Sequence, residues 1–177
     1  MKEVISKQDL QDRISKLAST IQLIEREKTF SFTLQNTPIV FVGILNGAFM
    51  FFSDLVKKIE LPMEIDFVRV KSYDGQNRKE TKFTKDLEVD IKGKHVYLVD
   101  DIIDSGHTMK FLIDHFKERG AKDVTPVAAI LKENVVIQDA LCILRYPQDS
   151  PWFIGYGMDR EDGTGRNIET ILELDGE

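Results

Sequence analysis

Cysteine is nearly absent: Cys142 is the only one among 177 residues, so no intrachain disulfide framework can staple the chain. Such sparing use suits a reducing compartment. No run approaches ~18 consecutive apolar residues, which excludes a membrane-spanning helix. The opening MKEVISKQDLQDRISKL lacks the apolar centre of a secretory signal, so a cytoplasmic location is expected. Positive charge is not in excess either. Lys and Arg number 24 against 30 Asp and Glu, for a net charge of −6. That balance argues against bulk nucleic acid or an anionic membrane as partner. It leaves open a small anionic ligand, which backbone N–H groups and one or two cations can hold.

Several common signatures are missing as well. G-x-x-x-x-G-K-[ST] is absent, which disfavours a P-loop nucleotidase, and no G-x-G-x-x-G opens a helix after a strand. His95, His107 and His115 show no zinc spacing. G-x-S-x-G is absent too, which disfavours an α/β-hydrolase.

What is present reads as one α/β domain. Apolar residues make up 42% and charged residues 31%, with no linker or repeat dividing the chain. Leu10, Ile14, Leu17, Ile21 and Ile24 follow helical spacing, and Ser6 with Asp9 resembles a capping box. Pro38–Val42 reads as a buried strand, followed by a helix presenting Phe49, Phe52, Leu55, Val56 and Ile59 on one face. Met63–Lys71 alternates as a half-buried strand does, and Ser72–Phe83 is polar and turn-forming, as in a mobile loop. His95–Asp100 is another buried strand. A helix follows from Thr108 with Met109, Leu112, Ile113 and Phe116 inward, and Gly120 sits where a C-cap belongs. A strand follows at about 124–131. The order predicts a mostly parallel central sheet flanked by helices. The loop-rich remainder has short strand candidates near 140–144, 152–156 and 168–174. It predicts a small hood, from about 133–177 plus the N-terminal segment.

The positive signal is VYLVDDIIDSGHT, Val96–Thr108. A buried strand ends on Asp100 and Asp101, two apolar residues intervene, and Asp104–Thr108 turn into a helix. Ligands of open α/β sheets sit at such carboxyl ends. A turn of Gly and two hydroxyls at a helix N-terminus offers N–H donors to a phosphate. Carboxylates beside it would repel a bare phosphate, but suit a ligand that also brings hydroxyls and a divalent cation.

This string resembles the phosphoribosyl-pyrophosphate motif of type I phosphoribosyltransferases. Around it, GILNGAFMFFSDLV, DFVRVKSY, VAAILKE and WFIGYGMD resemble the hypoxanthine-guanine phosphoribosyltransferases, in that family's order. The resemblance implies the family's fold and its reaction. A 5-phosphoribosyl group would pass from 5-phosphoribosyl 1-pyrophosphate to hypoxanthine or guanine, giving IMP or GMP and pyrophosphate, with Mg2+ as cofactor. Xanthine stays open as a base, since the three oxopurines differ at the 2-position. The resemblance also implies a homodimer or homotetramer.

By the same resemblance, Asp104, Ser105, Gly106, His107 and Thr108 hold the 5′-phosphate, His107 through its backbone alone. Asp104 also stands near purine N7 as the catalytic residue, where it can accept or share a proton during attack. Asp100 and Asp101 face the ribose hydroxyls and the metal, with Asp100 in place of the usual glutamate. Leu45–Asn46–Gly47 matches the pyrophosphate loop, where the Leu45–Asn46 peptide can be cis and Asn46 replaces a common lysine. Gly47 reads equally well as a simple turn residue. Lys132 matches the lysine on the purine O6: an ammonium only donates, so it pairs with a 6-oxo group and clashes with the amino group of adenine. Trp152 would stack on the base, Phe153 would offer backbone groups to its edge, and Asp159 lies near its 2-position and a second metal. Arg166 is the candidate pyrophosphate arginine, one residue later than usual. Ser72 and Tyr73 match the start of a lid.

Overall fold

Ser6 begins the first helix as its spacing to Asp9 predicts: its Oγ accepts the Asp9 N–H at 3.1 Å. The elements that follow from the computed structural model are β1 (Lys2–Ile5), α1 (Lys7–Ser31), β2 (Ile39–Ile44), α2 (Phe49–Val56), β3 (Glu64–Asp74), β4 (Lys79–Lys85), β5 (His95–Ile103), α3 (His107–Glu118), β6 (Asp123–Lys132), β7 (Leu141–Tyr146), β8 (Phe153–Ile154) and β9 (Ile171–Glu173). The structure describes residues 1–31, 37–74, 79–149 and 152–174, and of 29–31, 72–74 and 79–80 the backbone only.

The main sheet runs in the order β4-β3-β2-β5-β6-β7. All its neighbours pair in parallel except the β3–β4 hairpin. Alternate side chains of the central strands serve two cores. Phe41, Tyr97, Val99 and Val127 pack under α1 and α2, whereas Val40, Val42, Leu98 and Ala128 pack under α3. Strands covered on both faces need apolar residues at every position, which is why β2 reads as an unbroken apolar run.

Some details differ from the sequence expectation. The second helix buries Phe51, Phe52 and Leu55, while Phe49 stays exposed. Ile24 is half-buried, and the fully inward position next to it belongs to Glu25. Residues 79–83, expected in a mobile loop, lie in β4 and pair in register with β3. Residues 75–78 of the expected loop lie outside the described residues.

Glu25 is buried among polar partners at the end of the sheet where β5 and β6 start. Its Oε1 accepts from the Tyr97 hydroxyl at 2.7 Å and lies 2.6 Å from His95 Nδ1. His95 Nε2 in turn meets Thr125 Oγ1 at 2.9 Å. Burial pushes the Glu25 carboxyl up, but the bonds from His95 and Tyr97, with the nearby positive charge, outweigh it and hold it at about 2.

A second sheet, in the order β1-β9-β8, joins both ends of the chain. It corresponds to the expected hood. Residues 141–146, which the sequence placed there too, instead extend the main sheet as β7, with Tyr146 in register with Lys132.

Candidate active site

After β2 the chain crosses to β3 on one side, and after β5 it crosses to β6 on the other. The carboxyl ends of β2 and β5 therefore flank a topological switch point, where a crevice must open. Residues 45–48 follow β2 there, and 104–106 follow β5.

The turn after β5 is built for an anion. Gly106 adopts φ +74, a left-handed conformation that glycine tolerates best, and directly precedes α3. Its missing side chain also leaves room for Val135 and Ile137, which a Cβ would crowd at 2.9 and 3.2 Å. Asp104, Ser105 and His107 are exposed around it and Thr108 is half-buried, and Ser105 Oγ accepts the His107 N–H at 3.4 Å at the N-terminus of a twelve-residue helix, the end whose N–H groups and dipole favour an anion.

Asp100 and Asp101 lie inside the last stretch of pairing rather than at the strand's end: β5, expected to stop at the acids, runs on through Ile103, which still pairs with β6. Asp100 is buried, and its Oδ1 accepts the Asp101 N–H at 3.0 Å. Burial, then the adjacent Asp101 carboxylate, pushes the Asp100 carboxyl well above the usual range. Gly47 packs directly on Asp101, where a Cβ would collide with the carboxylate. The Leu45–Asn46 peptide is cis, as the resemblance implies, and Asn46 is exposed.

Beside these turns lies a cavity of about 360 Å³. It brings together Asp101, Asp104, Lys132, Trp152, Phe153 and Asp159 from four separate stretches of chain. Its size falls at the small end of ligand pockets, about 300–1,000 Å³. Lys132 ends β6 and is 3% exposed. Its Nζ donates to the Gln148 carbonyl at 3.3 Å and lies 5.2 Å from the centre of the Phe153 ring. Trp152 is exposed, and its Nε1 donates to the Asp159 carbonyl at 2.7 Å, fixing the indole at the cavity rim. The Trp152 carbonyl accepts from Leu174 N–H, so the next residue, Phe153, faces Glu173 in a pair without ladder bonds. The Phe153 N–H and C=O therefore point away from β9, at the free edge of the small sheet.

Other candidates lie apart from the cavity wall. Asp100 sits behind Asp101, and Asn46 and Gly47 are on the neighbouring turn. Arg166 is ion-paired with Asp159 and donates to the Gly157 carbonyl at 2.7 Å, so it braces the cavity at Asp159. The backbones of Ser72 and Tyr73 lie in β3, and their side chains are outside the described residues. The cavity also contains Ile102, Gln148 and Met158, which sequence reasoning did not single out. Ile102 and Met158 each adjoin a singled-out acid, and that adjacency was their only signal. Gln148 had none.

The phosphoribosyl transferase domain family matches residues 11–159. The hypoxanthine phosphoribosyltransferase of Haemophilus influenzae is 35% identical over 96% of this chain and 95% of its own. The hypoxanthine-guanine phosphoribosyltransferase of Aquifex aeolicus is 34% identical over 99% and 95%. A crystal structure of a hypoxanthine phosphoribosyltransferase from Staphylococcus aureus superposes with a TM-score of 0.85 at 28% identity, covering 98% of this chain and 91% of that one. The chain belongs to the phosphoribosyltransferases, and among them to the hypoxanthine-guanine family.

Proposed function

We propose that the protein transfers the 5-phosphoribosyl group of 5-phosphoribosyl 1-pyrophosphate to N9 of hypoxanthine, and of guanine, forming IMP or GMP and pyrophosphate. The observation that carries this reading is the cavity itself, which sets a buried lysine, an indole and three acids beside a phosphate-type turn.

The sugar becomes cation-like as pyrophosphate leaves, so the chain's task is to hold three parts in line and stabilise the charge that develops. Asp104–Thr108 anchor the 5′-phosphate. Lys132 donates to the purine O6, Trp152 stacks on the ring, and the outward N–H and C=O of Phe153 meet the base edge. Asp104, exposed at the cavity mouth, accepts or shares the N7 proton during attack.

Among the described residues, no group of three or more His, Cys, Asp and Glu could hold a metal ion by itself. Asp101, on the cavity wall, would hold a hard cation that binds through one or two acids and takes its other ligands from water and substrate, as Mg2+ does, and the buried Asp100 carboxyl beside it would become a second donor on ionising. When bound, Mg2+ supplies positive charge to the departing pyrophosphate. Asp159 is held by Arg166 and enters the proposal through its place on the purine wall.

A homodimer or homotetramer with exposed Phe49 at a contact, and a cytoplasmic location, belong to the same proposal. Light scattering at micromolar concentration reads the first. The activity is tested by mixing protein with hypoxanthine, phosphoribosyl pyrophosphate and Mg2+ and following IMP. No IMP at micromolar enzyme overturns the reading.

A further inference from the structure

Residues 155–158 close a tight hairpin loop. Gly155 N–H donates to the Met158 carbonyl and Met158 N–H to the Gly155 carbonyl, each at 3.0 Å. The central residues, Tyr156 and Gly157, have φ of +48 and +102. Such turns favour Asn, Asp or Gly at the first central position, where a bulky side chain is strained. Strain of this kind persists only where the surroundings over-determine it, and it gathers at functional sites.

Here the surroundings are specific. The Tyr156 ring is buried, and its hydroxyl donates to Asp54 Oδ2 at 2.8 Å. Gln11 Nε2 donates to the same oxygen at 2.7 Å, and Lys57 pairs with the other at 2.9 Å. Asp54 belongs to α2, the helix that follows the turn at 45–48. One residue on from Tyr156, Gly157 packs against that turn itself, since a Cβ there would fall on the Gly47 carbonyl. Next in the chain, Met158 and Asp159 line the cavity. We infer that Tyr156 is a positioning residue: held in this turn and tied to Asp54, it fixes the spacing between Asn46–Gly47 and the cavity wall at Met158 and Asp159. The inference rests on the function proposed above, in which pyrophosphate leaves at the first and the purine sits at the second. An in-line transfer depends on that spacing in the transition state more than either ligand does in order to bind.

The test follows IMP formation in a single turnover, with enzyme in excess over hypoxanthine. It compares wild type, Tyr156→Phe, Asp54→Ala, Asp54→Asn and the double variant Y156F/D54A. Phenylalanine keeps the buried ring and removes only the hydroxyl. Y156F is expected to slow the turnover about tenfold, the worth of one hydrogen bond to a carboxylate. The steady-state KM for each substrate stays within about twofold, because neither touches Tyr156. The double variant is no slower than D54A alone, as partners in one bond require. D54N, which keeps an oxygen for the hydroxyl, recovers most of what D54A loses. A Y156F turnover within about twofold of wild type overturns the inference. So do single losses that multiply in the double variant, or a D54N variant as slow as D54A. A slowing that vanishes when the assay is cooled well below the melting temperature of Y156F also overturns it, since the hydroxyl would then serve stability alone. If wild type itself forms no IMP, the proposed function has failed and Tyr156 falls with it. An active wild type with an indifferent Y156F removes Tyr156 alone.

Discussion

Gly47 and Asp101 approach so closely that a β-carbon on the first would occupy the space of the second's carboxylate. The turn after β2 and an acid near the end of β5 are thereby locked in one relative position, across the crevice where leaving group and ribose are proposed to lie.

Gly47→Ala must therefore displace either the turn or Asp101. We expect kcat/KM for IMP synthesis to fall about a hundredfold, the scale for an ångström of misplacement. Thermal stability should drop by about 1–3 kcal/mol, as overpacking does. Steady-state kinetics beside a melting curve measure both, and unchanged kinetics would show that the turn can yield freely.

Asp104→Asn keeps the shape of the side chain and removes its basicity. The expected result is a kcat lower by about 10²–10⁴ with KM nearly constant, since the proton is shared mainly in the transition state. An equal effect on binding of the 5′-phosphate ester product would make Asp104 part of the phosphate turn only.

Lys132→Met retains the length of a side chain that is 3% exposed while removing every donor. Purine KM should rise by about 10–100-fold, the range for a hydrogen bond to a charged group. An intact hypoxanthine KM would contradict the assignment to O6.

Trp152 is the only tryptophan, so its emission reports on the cavity rim alone. Addition of IMP should change that emission, and Trp152→Ala should weaken purine binding by roughly 5–100-fold, in line with base–aromatic stacking of about 1–3 kcal/mol. Fluorescence unmoved by saturating IMP, in active protein, would place the base elsewhere.

Glu25 ties acid stability to the far end of the sheet. Its carboxyl is held at about 2, below the ordinary 4.5. A depressed folded-state value stabilises fully above the unfolded value, and the contribution is lost as pH falls through the folded one. Glu25→Gln should cost on the order of 3 kcal/mol at pH 7. The gap to wild type should narrow from pH 4.5 and close near pH 2, as read by urea unfolding. A gap constant over that window would show that the charge of Glu25 contributes nothing.

The central strands and both ends of the motif were legible because they carry strong local signals. Apolar runs mark β2 and β5, and Gly106 with its flanking hydroxyls marks the turn. Strand β4 was hidden because an edge strand paired on one side can be as charged as KETKFTK. Strand β1 was hidden because four residues gain their structure only from β9, at the other end of the chain. Glu25 falls among the apolar positions of α1, and nothing local announces that His95, Tyr97 and Thr125 await it. Gln148 escaped for the same reason. Its place beside Lys132 comes from the register of β7 on β6, which no local pattern encodes.

The small sheet makes the cavity wall at Trp152 and Phe153 a late product of synthesis. Both residues are held by β9, and β9 by β1, so a ribosome must deliver Ile171–Glu173 before that wall is complete. A nascent chain halted after Lys132 would lack that wall, and also Val135 and Ile137, on which the Gly106 turn packs.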